Sequence, residues 1–307
     1  MIGAGFFGRV IARRLADVGM APLVASRTRG DLRLDVEDRV SLAAALRPQD
    51  VIVDTAGPFQ MRSTALVEAA IERGCDVVDL SDALGYARAV LPLHDRAAAK
   101  GTRIFTSCSA IATVAASAIR ASEPAAPETC DLFLAPASAD TGNPATVRAF
   151  LASVDWSRSR EFPADRRRGY RVESAAAVLL PRSWPSLRWV DFWVDPNAPF
   201  AVRSIALASR LGLTRVLSAV APLSARLVGR REGSFSVAVS EGGRYSLTRL
   251  AAPRGSYLIA AEPAVLAAET LARGADLPAG VVPAHVQLDP AALFDRLVAL
   301  GIDVTRT

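Results

Sequence analysis

Over the first 120 residues, short apolar runs alternate with segments whose apolar positions recur at helical spacing, the arrangement of successive βαβ units. Phe6 to Val18 reads as a helix and Pro22 to Ala25 as a strand. Ser41 to Leu46 is a helical turn, Val51-Ile52-Val53-Asp54 a buried strand stopped by Gly57-Pro58, and Ser63 to Arg73 an amphipathic helix. Val77 to Leu80 is the next strand, Ala83 to Ala99 is mostly helical, Arg103 to Thr106 is a strand and Ile111 to Ala121 a helix. These alternations predict one parallel sheet. Past Glu123-Pro124-Ala125-Ala126-Pro127 the texture changes, which puts a boundary near 122. Asp131 to Ala135 is strand-like, and a stretch rich in Arg, Trp and Pro runs from Ser153 to Pro199. Ser234 to Ser240 and Arg244 to Leu250 alternate in period two about Glu241-Gly242-Gly243, as an antiparallel hairpin does. Pro263 to Arg273 and Pro290 to Leu300 read as closing helices.

Composition narrows the class. At about 150 residues per domain, 307 residues make two domains, and 51% hydrophobic with 22% charged residues excludes a disordered chain. Cys75, Cys108 and Cys130 form no C-x-x-C pair, so a reduced, cytoplasmic protein without a metal is expected. The net charge of +5 raises nucleic acid as a partner, but the basic set is almost wholly Arg, with Lys100 the one lysine, a skew that fits a GC-rich genome better than a polyanion surface. The uncharged run from Ile104 to Ile119 contains Thr and Ser and falls short of the ~20 apolar residues of a membrane span.

Gly3-Ala4-Gly5-Phe6-Phe7-Gly8 supplies G-x-G-x-x-G directly before a helix. The first Gly permits a tight turn and the second a close approach of backbone to a pyrophosphate. The third lets helix and strand pack, while the helix N-terminus offers N–H groups to phosphate. A site for NAD places Asp or Glu about 20 residues on. Here Ser26-Arg27-Thr28 stands after the second strand; a guanidinium pairs with a 2′-phosphate, which favours NADP (NADPH) over NAD. A solvated turn is the plain alternative for Arg27, and Asp35 either accepts from adenine or caps the following turn. Only Met1 and Ile2 precede Gly3, against the roughly five residues of an ordinary strand. A truncated first strand is therefore expected, leaving its neighbours without their shared partner, and a start codon a few residues upstream is favoured over weak cofactor binding.

Thr55-Ala56-Gly57-Pro58-Phe59-Gln60 and Cys75-Asp76-Val77-Val78-Asp79-Leu80-Ser81-Asp82, with the glycine loop and an ending at Pro283, Leu288-Asp289-Pro290 and Leu300-Gly301-Ile302, resemble the saccharopine dehydrogenase-like family. The resemblance implies an α/β fold: a Rossmann-type, doubly wound parallel sheet over 1–122, a second α/β domain with an antiparallel sheet over 123–260, of substrate or dimerisation type, and C-terminal helices, 261–307, returning to the first domain. It also implies hydride transfer between a nicotinamide cofactor and a C–N bond, with Thr55, Ala56, Gly57, Pro58 and Phe59 along the ribose and pyrophosphate, and Asp79 and Ser81 nearer the nicotinamide. Where the family has a Gly- and Pro-rich turn, this chain has Thr106-Ser107-Cys108-Ser109-Ala110, which leaves the small-molecule substrate open.

Proton donors are scarce. His94 falls in a predicted helix and reads as a surface residue, and His285 lies in a Pro-flanked loop. Asp82 follows a strand and faces the expected cleft, with capping of the helix at Ala83 the favoured alternative; Cys108 reads first as a small buried hydrophobe. Arg158, Arg160, Arg166, Arg167, Arg168 and Arg171 would hold substrate carboxylates or form a solvated basic loop. Val202 to Arg231 mixes apolar residues with Arg, compatible with a peripheral membrane helix, with packing on the second domain or on a homodimer mate favoured. Trp184, Trp189 and Trp193 are expected to fill a core. An NADP-dependent oxidoreductase leads; a non-catalytic NADP-binding or membrane-peripheral protein of the same fold is the alternative.

Overall fold

The computed structural model describes residues 1–163, 167–197, 213, 216 and 229–307. The chain forms two compact units, Met1–Ser117 with Ala260–Leu293, and Ala118–Ile259 with Phe294–Thr307. In chain order the strands are β1 (Ala25–Ser26), β2 (Leu32–Arg33), β3 (Val51–Asp54), β4 (Asp76–Asp79), β5 (Arg103–Phe105), β6 (Thr129–Ala135), β7 (Val154–Glu161), β8 (Arg168–Val172), β9 (Trp189–Val194), β10 (Gly233–Glu241), β11 (Arg244–Ala252), β12 (Gly280–Val281) and β13 (Asp303–Arg306).

In the first unit β12-β5-β4-β3 pair in parallel, as do β1 and β2. β3 and β4 are almost wholly buried, as parallel strands covered on both faces must be. The shared neighbour that the sequence leaves wanting is supplied by Met1–Gly3. Ile2 N–H donates to Val53 O and Thr55 N–H to Ile2 O on one side; Ala25 N–H donates to Met1 O and Gly3 N–H to Ala25 O on the other, all at 2.8 Å. Isolated bridges from Ile2 to Ala25 and to Asp54 thereby join the two sets of strands, so three residues of backbone do the work of a central strand. Helix Phe6–Asp17 buries Gly8, Ile11 and Leu15, one stripe at helical spacing, and helix Ala65–Arg73 buries six residues and stops at Gly74, whose φ of 68° admits glycine readily.

The second unit holds a seven-stranded sheet, β13-β11-β10-β6-β9-β8-β7, in which only β6 and β9 run parallel. Gly242 and Gly243, at φ 53° and 77°, close the β10–β11 hairpin where a two-residue turn demands positive φ twice. The last residues divide: 260–293 lie with the first unit, whereas 294–307 lie with the second, where β13 pairs with β11.

The basic set from 158 to 171 is neither an open carboxylate clamp nor a solvated loop in its described part. β7 and β8 carry it as an antiparallel pair, with Arg160 ion-paired to Asp131 at 2.6 Å and Arg171 to Asp191 at 2.7 Å. Arg166 lies outside the described residues, as does the stretch 202–231 apart from 213, 216 and 229–231. Trp193 is buried and donates Nε1–H to Asp131 Oδ1 at 3.0 Å, but Trp189 is 67% exposed, because it begins β9 beyond the reach of β8, whose pairing starts at Phe192.

Candidate functional site

The glycine loop is shaped by its own crowding. A Cβ on Gly3, at φ 103°, would lie 2.4 Å from Thr55 Oγ1, and one on Gly8 would lie 2.0 Å from Gly3 O. Neither position has room for a side chain. A Cβ on Gly5 would meet nothing within 4 Å, so the middle glycine faces open space. Gly5 is also the N-cap of helix Phe6–Asp17, which has no side-chain cap and no acidic residue in its first turn. Phe6 and Phe7 meet edge to face at 5.3 Å. A concave backbone that opens onto an uncapped helix N-terminus has the form of an anion cradle.

Two loops flank it. After β1, Ser26 Oγ accepts from Arg29 N–H at 2.9 Å and donates back to Arg29 O, a turn that leaves Arg27 and Thr28 exposed. Among the described residues Arg27 has no ion pair. Asp35 Oδ1 accepts from Glu37 N–H at 3.1 Å, the capping alternative of the two open to it. After β3, Thr55 Oγ1 donates to Ile2 O at 2.9 Å, tying this loop to the glycine turn. Asp54, fully buried, accepts from Ala56 N–H at 2.9 Å through Oδ1 and pairs with Arg62 Nη1 at 2.7 Å through Oδ2. The Arg62 guanidinium lies 5.1 Å from the Phe59 ring and 5.8 Å from the Tyr86 ring, and Phe59 and Tyr86 meet edge to face at 5.1 Å. This buried pair holds the Thr55-to-Phe59 turn, and sequence reasoning missed it. A carboxylate ending an apolar buried strand was the available signal, since such a charge requires a partner.

A third group of residues gathers at the ends of β4 and β5. Asp79 is fully buried; its Oδ1 accepts from Ser81 N–H and from Ser107 N–H, both at 2.9 Å. Burial pushes its carboxyl up to about 7 against the pull of those two bonds. Ser81 is also fully buried, and its Oγ accepts from Ala83 N–H at 3.2 Å. Asp79 Oδ1 and Ser81 Oγ thus shape the loop by holding its backbone, while Asp79 Oδ2 is buried without a hydrogen-bond partner among the described residues. Asp82 does not cap a helix. The helix starts one residue later than expected, at Leu84, and Asp82 Oδ1 accepts from Ser109 Oγ at 3.1 Å instead. Its side chain is accessible to solvent, yet the protein mass around it pushes the carboxyl up to about 6, opposed by the Ser109 bond. Cys108 is fully buried and burial drives its thiol far upward, so it packs as a small hydrophobe. Gln287 Nε2 donates to Thr106 O at 3.2 Å and to Val282 O at 3.3 Å, and its Oε1 accepts from Thr113 Oγ1 at 2.5 Å. His94 is half-buried, not a plain surface residue: Nδ1 accepts from Val281 N–H at 3.1 Å and so holds β12. Among the described residues no cluster of three or more His, Cys, Asp or Glu is arranged for a metal, and no helix is long and apolar enough to cross a membrane.

Residues 1–105 match the family model described as the saccharopine dehydrogenase NADP binding domain, so the resemblance drawn from sequence is borne out over that segment, which is a nicotinamide dinucleotide-binding domain. Among solved structures, the chain is similar to apo saccharopine dehydrogenase (L-Glu forming) from Saccharomyces cerevisiae, at 14% identity and a TM-score of 0.63, covering 100% of this chain and 98% of that one. It is also similar to amine dehydrogenase from Mycobacterium smegmatis, at 11% identity and a TM-score of 0.51, covering 93% and 94%. At such identities the likeness is one of fold. No curated protein matches the chain.

Proposed function

We propose that this protein is an NADP-dependent oxidoreductase that transfers hydride at a C–N or related bond of a small metabolite. The observation that carries the reading is the glycine cradle, closed to side chains at Gly3 and Gly8 and open at Gly5 before an uncapped helix. Its donors and shape fit a pyrophosphate. In this reading the first turn of helix Phe6–Asp17 receives the diphosphate, Arg27, flanked by Ser26 and Thr28, pairs with the 2′-phosphate, and the Thr55-to-Phe59 turn lines the ribose side. The cofactor supplies the hydride when bound. Asp82 supplies the proton: a carboxyl near 6 that reaches solvent holds a proton in a useful fraction of molecules close to neutral pH, as a general acid must.

Gly5→Val tests the reading without disturbing the fold. At Gly5 φ is −72° and ψ −164°, which any residue adopts, and the added side chain meets no protein atom near its Cβ. The variant should melt within a few degrees of wild type while NADPH affinity, followed by fluorescence, drops at least tenfold. Unchanged affinity would move the dinucleotide away from this loop.

A further inference from the structure

The turn that presents Ser109 to Asp82 is built under constraint. Ser107 has φ 54°, a left-handed conformation that costs a non-glycine residue and persists only where its surroundings enforce it. Three groups enforce it here. Ser107 N–H donates to Asp79 Oδ1 at 2.9 Å, Ser107 Oγ donates to Ser81 O, and Cys108 N–H donates to Asp79 O at 2.7 Å. The chain then enters a π-helical turn, Ala110–Val114, a rare geometry that tends to occur at functional positions. Gln287 braces the far side through Thr106 O and Thr113 Oγ1. The result is Ser109 Oγ at 3.1 Å from Asp82 Oδ1, across 27 residues of sequence.

We propose that Asp79 is a positioning residue: by accepting from Ser107 N–H it locks the 106–110 turn in the conformation that holds the Ser109 hydroxyl on Asp82. The relevance to catalysis rests on the oxidoreductase reading above, in which Asp82 carries the proton. The positioning itself is tested without cofactor, so its failure and the failure of that reading are separable.

The three cysteines provide the probe. Cys75, Cys108 and Cys130 are all free and buried, one at the head of β4, one in the turn, one in β6 of the second unit. Thiol labelling with mapping by mass spectrometry therefore separates local release from global unfolding. Asp79→Ala should expose Cys108 to label at least tenfold faster while Cys75 and Cys130 stay protected. The carboxyl of Asp82, followed by carbon NMR, should titrate higher than in wild type, because the Ser109 bond that lowers it is gone. Ser109→Ala should raise Asp82 equally without exposing Cys108. Asp79→Asn keeps an oxygen facing both amides and should restore both properties, whereas Asp79→Leu, of similar bulk but without an acceptor, should not. If Asp79→Ala labels all three cysteines, Asp79→Leu, which keeps the bulk and removes only the acceptor, replaces it and should expose Cys108 and raise Asp82 in the same way. Protection of Cys108 with an unmoved Asp82 in the folded variant, or an Asp79→Asn that behaves as Asp79→Ala, overturns the assignment.

Discussion

Asp79 carries a free-energy consequence that follows from its burial. Its carboxyl is held at about 7 in the folded protein, against about 3.9 in an unfolded chain. Between those values the folded state keeps a proton that the unfolded state has released. Stability from this group is therefore complete below pH ~4 and is lost as pH rises through 7. At about 1.4 kcal/mol per unit, the whole effect is on the order of 4 kcal/mol. Asp79→Asn has no such titration, so urea unfolding should show the variant gaining on wild type as the pH is raised from 4.5 to 8. A difference in stability that stays constant with pH would mean that Asp79 ionises in the fold without cost. Asp82 differs from Asp79 in kind. It reaches solvent, so its raised carboxyl bears little on stability.

At the scale of elements, the glycine loop is packed closely against the strands it joins. Gly8→Ala would place a methyl 2.0 Å from the carbonyl oxygen of Gly3, a contact with backbone that no rotamer relieves. Overpacking of this kind costs about 1–3 kcal/mol or more, so the melting temperature should fall by several degrees, in contrast to Gly5→Val. A Gly8→Ala variant as stable as wild type would show that the helix can slide away from the turn. These elements were legible beforehand for physical reasons. β3 and β4 are continuous apolar runs because both faces are covered, and the β10–β11 turn needs positive φ twice, which Gly242-Gly243 announces. β12 was not legible, since Gly280–Val281 is two residues long and owes its place to backbone bonds and His94. Nor were β7 to β9 recognised as one sheet, because their Arg and Trp content masks the alternation that their ion pairs with Asp131 and Asp191 make tolerable.

For the molecule as a whole, the residues of the candidate site all lie in the first unit. The parallel sheet of the first unit ends its strands at the three loops that carry Gly5, Arg27 and Thr55, where ligands of open α/β sheets bind. The cradle itself was readable from six residues because crowding leaves glycine as the only solution at Gly3 and Gly8. The network around Asp79 was not, since Ser107 lies 28 residues from it and Gln287 lies 174 from Thr113, and no local pattern encodes partners so far apart. The central claim is that this unit binds NADP with Arg27 on the 2′-phosphate. It is tested most directly by titrating NADPH and NADH, by fluorescence, against the wild type and Arg27→Ala. A charge-assisted contact of about 1.5–3 kcal/mol predicts that wild type prefers NADPH by roughly 10- to 100-fold, and that Arg27→Ala abolishes the preference while leaving NADH affinity where it was. Equal losses for both cofactors, or no binding of either by the wild type, would contradict the account.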